Sequence, residues 1–398
     1  MLRPANGQKT KLKDGTHFTQ KSFPCTKCGA SLIFCADEGA LKCEYCGVIN
    51  RINPPRLPIY ENDLEDALEK LEKMPKVDLA EDLKAKCPSC GASFNLDSHL
   101  RSTKCPFCAS PIVTNLDMFM PLSPKSLLPF SINQKEAKVI FKKWVGNLWF
   151  APSSLKKFTE TNSKFNGIYL PYWTYDSQTH SRFKGLRGDT YYERVTRRVY
   201  VNGREEYVED MIPRVEWTHV SGVVERSFDD VLIGATKTIP RKLIDALEPW
   251  DLHNLENYDD KYLSGFESEV YQVALDDGFE YAKDYMSYEI REAVRYKIGG
   301  DKQQITDLRI YHDKSSFKYI LLPIWTAHFK HNKKDFRFAI NARSGQIKGE
   351  RPYSKTKIFF AVALGIAAAG VLFFASQHVD NTMIGNGFDH VFIRIDRF

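Results

Sequence analysis

Apolar positions follow three different rhythms along the chain. Over SINQKEAKVIFKKWVGNLWF (131–150), Ala137, Ile140, Phe141, Trp144, Val145 and Leu148 recur at three- and four-residue spacing and mark one face of a helix. Ser131 and Gln134 ahead of them have the form of a capping box. ENDLEDALEKLEKM repeats the rhythm on a smaller scale with Leu64, Ala67, Leu68 and Leu71, and carries opposite charges on its other face. A longer helix is expected across GFEYAKDYMSYEIREAVRYKIGGD, stopped by Gly299 and Gly300.

The second rhythm is alternation. YYERVTRRVYVNGREEYVEDMIPRVEWTHVSGVV reads as strands around the turn VNGRE. GIYLPYWTYD and KYILLPIWTAHF share Leu-Pro-x-Trp-Thr, which suggests equivalent strands in a duplicated β layer. A proline inside a strand belongs at an edge, a start or a bulge. Trp173 and Trp325 are expected in the core rather than around a ligand. FRFAINARSGQIKGERPYSKTK reads as a closing hairpin.

The third rhythm is unbroken apolarity. Residues 358–375, IFFAVALGIAAAGVLFFA, carry no charge. At about 1.5 Å per residue they reach just across a bilayer core. Lys348, Arg351, Lys355 and Lys357 precede the run, whereas SQHVDNTMIGNGFDH after it has no Lys or Arg. The positive-inside rule then predicts a single-pass protein of the inner (cell) membrane, with its N-terminal domains in the cytoplasm and a short tail, 376–398, exported. Ala361, Gly365 and Ala369 form a small-residue seam through which copies could pair as a homo-oligomer.

Composition otherwise suits a globular protein: 27% charged, 43% hydrophobic, net charge +6, too little at this length to imply a nucleic-acid partner. The cysteines change the picture. Cys25, Cys28, Cys43 and Cys46 form two Cys-x-x-Cys pairs separated by fourteen residues, and Cys87, Cys90, Cys105 and Cys108 repeat that spacing. Two such turns aim four sulfurs at one point, so each quartet is expected to hold a structural Zn2+ in a zinc ribbon. Gly29, Gly47 and Gly91 follow their knuckles, and Ala109 stands in that place in the fourth. Disulfides are not expected, because MLRPANGQKTKLKDG has no secretory apolar run. Cys35, the ninth cysteine, sits in the apolar run SLIFC and reads as a small buried residue.

The chain therefore reads as α+β in seven parts. A basic tail (1–22) precedes ribbon 1 (23–50), a Pro-rich spacer with an amphipathic helix (51–85) and ribbon 2 (86–112). An aromatic-rich α+β domain (113–350), the transmembrane helix (358–375) and the tail (376–398) follow. Gly-Lys never occurs, so there is no P-loop; HExxH and GxSxG are absent as well, and no catalytic constellation emerges. The acidic doublets Asp229–Asp230, Asp259–Asp260 and Asp276–Asp277 read as turn and cap residues, and His328 with His331 as a solvated pair.

The paired ribbons, LPYWTYD, YLSGFESEVYQV, KIGGDKQQI and NARSGQIKGERPYSKTKI resemble a family of bacterial membrane-associated zinc-ribbon proteins. Its members are often labelled "primosomal protein N′ (replication factor Y), helicase-like". The resemblance spans most of residues 20–375 and implies the eight cysteines as zinc ligands, with no catalytic residue. Some relatives are similar to components of envelope-stress assemblies with flotillin-like (SPFH) and phage-shock-type proteins, which implies a recruitment platform facing the cytoplasm. The expectation is an adaptor that recruits cytosolic or membrane proteins. The alternative is a membrane-tethered nucleic-acid-binding protein without helicase activity. Charge favours the first, since ribbon 1 nets −1 and ribbon 2 only +2.

Overall fold

The computed structural model describes residues 10–11, 20–53, 57–74, 77–78, 82–114, 120–160, 165–201, 204–331 and 333–383. Most of both expected tails and the turn at 202–203 lie outside the described residues. Strands β1 (Leu32–Cys35), β2 (Ala40–Cys43) and β3 (Ile49–Arg51) belong to the first cysteine quartet, and helix α1 (Leu64–Lys73) follows. Strands β4 (Asp82–Lys86), β5 (Ser93–Asp97), β6 (Leu100–Lys104) and β7 (Pro111–Thr114) belong to the second. Then come α2 (Gln134–Gly146), α3 (Ser153–Glu160), β8 (Asn166–Val201), β9 (Arg204–Gly234), β10 (Glu267–Glu269) and α4 (Leu275–Ile298). Strands β11 (Lys302–His331), β12 (Lys334–Asn341) and β13 (Ile347–Gly349) lead to α5 (Lys355–Met383). The architecture is mixed α+β.

The chain divides into two compact units, one of residues 1–137, 164–327 and 338–348, the other of 138–163, 328–337 and 349–398. In the first, β8 lies between β11 and β9, antiparallel to both. At 36 residues β8 is several times the usual strand length. One face of its base carries Leu170 and Tyr172 with Ile320, Leu322 and Ile324, in a buried aliphatic cluster. The other face carries Trp173, Tyr175 and Tyr319, all buried. Helix α4 supplies a stripe of buried Leu275, Phe279, Ala282, Met286, Ile290, Val294 and Ile298, the side that a helix with this spacing turns to a core. Tyr175 donates from its hydroxyl to Leu275 O (2.7 Å), and Gly278 leaves room for that ring. Gly299, at φ 68°, ends the helix as expected.

The two Leu-Pro-x-Trp-Thr copies pair with each other, Leu170 opposite Leu322 in antiparallel register. Their prolines lie inside central strands and away from the register shifts, contrary to the edge, start or bulge expected of them. Pro171 stands where the neighbour of β8 changes, between residues paired to β10 and residues paired to β9, so its missing N–H breaks no ladder. Its carbonyl still accepts from Ala235 N. Trp173 and Trp325 are core residues whose indole N–H groups donate to Val273 O (3.0 Å) and Ile132 O (2.8 Å). The cap ahead of α2 also differs from expectation. Asn133 and Glu136 bond each other's backbone N–H groups, while Ser131 donates to Ala342 O and Gln134 to Phe165 O.

In the second unit, Phe158 of α3 packs against Phe141 and Phe329. The loop after α2 bonds to the start of α5: Ser354 N donates to Phe150 O (2.8 Å) and Lys357 Nζ to Ala151 O (2.7 Å). Trp149 is 84% exposed beside these contacts. Helix α5 includes a window, Lys355–Leu372, long and apolar enough to cross a membrane, with none of it buried. Over 138–163, 328–337 and 349–357 this unit carries twelve Lys and Arg against three Asp and Glu. That +9 exceeds the +6 of the whole chain, so the rest of the protein is net acidic.

Candidate metal centres

Each cysteine quartet is assembled from two copies of one hydrogen-bonded turn. Cys25 N donates to Ala30 O and Gly29 N to Cys25 O; Cys43, Cys87 and Cys105 repeat the pair of bonds with Val48 and Gly47, Ala92 and Gly91, Ser110 and Ala109. The residue after each second cysteine takes positive φ: Gly29 75°, Gly47 73°, Gly91 74° and Ala109 58°. Only Ala109 adopts this left-handed conformation against the steric preference of a side chain.

The four sulfur ligands of each quartet lie within 4.8 Å of one another. Cys25 to Cys46 and Cys28 to Cys43 are both 3.5 Å; Cys87 to Cys108 is 3.6 Å and Cys90 to Cys105 3.9 Å. A tetrahedron of about 2.3 Å metal–sulfur bonds has edges of about 3.8 Å, so both quartets fit a metal ion and are consistent with zinc. The electrostatics agree. The Cys46 N–H, opposed by desolvation and helped by the Tyr45 N–H, brings the Cys43 thiol down to about 6. Ser110, through its hydroxyl and N–H, brings Cys108 down to about 6. Ala30 N–H favours the Cys28 thiolate, but Cys43 and desolvation push that thiol up to about 12. Four thiolates this close repel, and a cation at their centre is what lets all of them ionise.

The quartets are not free-standing. Strand β6 pairs with β7 and with β10, and Ser102 donates to Phe266 O (2.9 Å). In the first quartet, Phe34 N donates to Ser264 O, Ser264 Oγ donates to Leu32 O, and Phe34 packs on Tyr262 and Phe266. Both therefore lean on residues 262–270, a long-range attachment with no local sequence signal. Cys35, expected to be buried, is only half-buried, and it lines a cavity of about 650 Å³ together with Phe34, Lys42, Lys104, Phe266 and Trp325.

The second knuckle of each quartet carries a side chain that spacing alone did not single out. Tyr45 in Cys43-Glu-Tyr-Cys46 is 85% exposed, and Phe107 in Cys105-Pro-Phe-Cys108 is 69% exposed. They occupy the same position of the same turn. A third grouping also escaped the sequence: Glu61, Asp176 and Asp229 bring carboxylate oxygens within 4.8 Å. Lys318 is anchored at this cluster, bonded to Glu61 (3.1 Å) and Asp230 (2.7 Å), and supplies positive charge there. Asp259 and Asp276 fulfil the cap and first-turn roles expected of them, whereas Asp230 sits in β9 at φ 52°. His328 is exposed, and His331 lies 3.2 Å from Ser154 Oγ.

The chain is 24% identical over 370 residues to the uncharacterized protein YdjG of Bacillus subtilis (strain 168), an alignment that covers 92% of this chain and 99% of that protein. No family model and no solved structure matches it.

Proposed function

We propose that this protein is a membrane-anchored zinc-ribbon adaptor that recruits protein partners to the cytoplasmic face of the membrane. The observation that carries the reading is the matched exposure of Tyr45 and Phe107. An aromatic ring on a turn pinned by a metal loses little entropy on contact, and such rings are the usual anchors of protein interfaces. The eight cysteines hold Zn2+, which supplies the rigidity. The two Cys-x-x-Cys modules serve as docking knuckles, and an envelope-stress assembly of the kind the resemblance implies is a fitting setting.

Helix α5 is the anchor. Its exposed Phe359, Phe360, Leu364 and Ile366 are costly in water and at home in hydrocarbon. Trp149 and Tyr353 beside its first turn suit the interfacial belt, and the +9 carried by residues 138–163, 328–337 and 349–357 suits an anionic cytoplasmic leaflet. That concentration of charge also favours a second reading, nucleic-acid binding, through the second unit rather than the ribbons.

The test uses the full chain in detergent. Captured partners are identified by mass spectrometry for the wild type and for Tyr45→Ala/Phe107→Ala. The adaptor reading predicts that the variant keeps about two zinc ions per chain and loses its partners. Partners retained in full by the variant, or tight salt-resistant binding of DNA or RNA instead, contradict it.

A further inference from the structure

Strand β11 accompanies β8 only as far as Gly188, which pairs with Lys302. Beyond it β8 and β9 continue as a two-stranded ribbon, Asp189 opposite Glu216 through Val201 opposite Arg204. Two strands alone are marginal in water. This pair also exposes Tyr192, Tyr207 and Met211, and on the other face Tyr191, Val208 and Ile212. Among the described residues, no strand fills the lane that β11 leaves.

The groups facing that empty lane can be identified. Gly188 O accepts from Asp301 N (2.9 Å), and Thr190 N donates to Asp301 Oδ2 (2.8 Å). Backbone groups alternate sides along a strand, so residues 192, 194, 196 and 198 point their N–H and C=O into the lane. An added strand must bond to these four. We propose that it is β8 of a second copy, antiparallel, giving a four-stranded sheet β9–β8–β8–β9 with a two-fold axis through Val195.

Three independent features select that occupant. First, the free stretch 191–199 overlaps itself fully when Val195 lies on the axis. Second, that register brings residues 192 and 194 opposite 198 and 196, so lane-facing groups meet lane-facing groups, as an antiparallel ladder requires. Third, it sets Glu193 opposite Arg197 twice and puts no like charges face to face. Every neighbouring register that keeps the ladder fails on charge. A shift of two residues puts Arg194 against itself or against Arg198; a shift of four puts Glu193 or Arg197 against itself.

Within one copy, Glu193 already pairs with Arg214 (2.9 Å) and Arg197 with Asp210. Joining two copies extends these into rows of alternating sign across four strands: Arg214, Glu193, Arg197, Asp210. The Glu193–Arg197 pair falls at a non-hydrogen-bonded position, where opposed side chains are closest. Tyr192 meets Arg198, a cation–π partner. The contact is isologous, so it closes at two copies and leaves no further lane open on this side.

Charge exchange tests this in the full detergent-solubilised chain. Glu193→Arg and Arg197→Glu each place like charges at both pairs. Each variant should capture its own tagged copy about tenfold less than wild type does. A mixture of tagged E193R with untagged R197E restores an acid opposite a base at both pairs and should recover wild-type capture, which misfolding of either variant could not produce. A wild type that captures none of its own copies leaves the lane to some other strand and overturns the proposal. So does a single variant that self-captures like wild type, or a mixture that stays apart.

Discussion

Lys318 and Glu61 bond at 3.1 Å across 257 positions of sequence, tying the segment between the two cysteine quartets to the middle of β11. The bond sits in a crowded carboxylate group. Glu61 is held down to about 2, first by Asp176 and then by Ser316 and Lys318. Asp176, half-buried beside it, is pushed up to about 7 by desolvation and by Glu61.

The sign of the resulting pH dependence follows. Asp176 binds its proton more tightly folded than unfolded, so its contribution is full below about pH 4 and is lost as pH rises through about 7. Glu61 acts oppositely, losing its contribution as pH falls from about 4.5 toward about 2. Thermal unfolding of the detergent-solubilised chain should therefore occur at lower temperature at pH 8 than at pH 5.5. Asp176→Asn should flatten that slope. An unchanged slope in the variant places its origin elsewhere.

Gly278→Ala sets two effects against each other. Alanine improves helix propensity by about 1 kcal/mol. Its methyl carbon would lie 2.4 Å from the Tyr175 hydroxyl and 2.8 Å from Trp173. Overpacking of this kind costs about 1–3 kcal/mol, and the bond from Tyr175 to Leu275 O is strained with it. Net destabilisation is expected, read as a lower midpoint in chemical or thermal unfolding. Gain of stability would mean the helix can shift away freely.

Ala109→Gly is expected to act the other way. Residue 109 takes φ 58° in a turn whose three counterparts are glycine. Relief of the left-handed side chain is worth about 1 kcal/mol, more than the added freedom of the unfolded chain removes. Competition with a zinc chelator should show the second quartet releasing metal later in the variant. Earlier release would show that the alanine is unstrained.

Cys87→Ser with Cys90→Ser should remove about one of about two zinc ions per chain. Because β6 pairs with β10, the loss should also lower the unfolding temperature of the sheet rather than free an isolated module. Iron in place of zinc, or an unchanged transition, would count against this picture.

Local chemistry was legible in the sequence and long-range pairing was not. The eight cysteines, α1, α4 and the apolar helix follow from spacing alone, because knuckles and helices are made of neighbours. Attachment of the quartets to residues 262–270 joins segments more than 150 positions apart, as with Ser102 and Phe266, and leaves no periodic trace. The central prolines misled for a related reason: whether Pro171 breaks a ladder depends on where β10 gives way to β9. At the start of α2, Ser131 and Gln134 matched the cap pattern, yet Asn133 and Glu136 satisfy it two residues later, once Ser131 is taken by Ala342. Tyr45 and Phe107 were visible as letters, but their exposure on equivalent turns needed the fold.

The adaptor reading expects the N-terminal side of the span in the cytoplasm, because Lys348, Arg351, Lys355 and Lys357 precede residues 358–375 and no Lys or Arg occurs in 376–390. A reporter enzyme active only outside the cytoplasm should work when fused after Phe398 and fail when fused before Met1. The reverse result would remove the cytoplasmic platform altogether.

The central claim is recruitment, and the location of a captured partner in cells tests it most directly. The partner should fractionate with the membrane when the chain is intact. Deleting residues 358–398 should release partner and protein together into the cytosol, still bound. Tyr45→Ala/Phe107→Ala should leave this protein in the membrane and the partner in the cytosol. A partner that stays at the membrane in both variants would contradict the adaptor account.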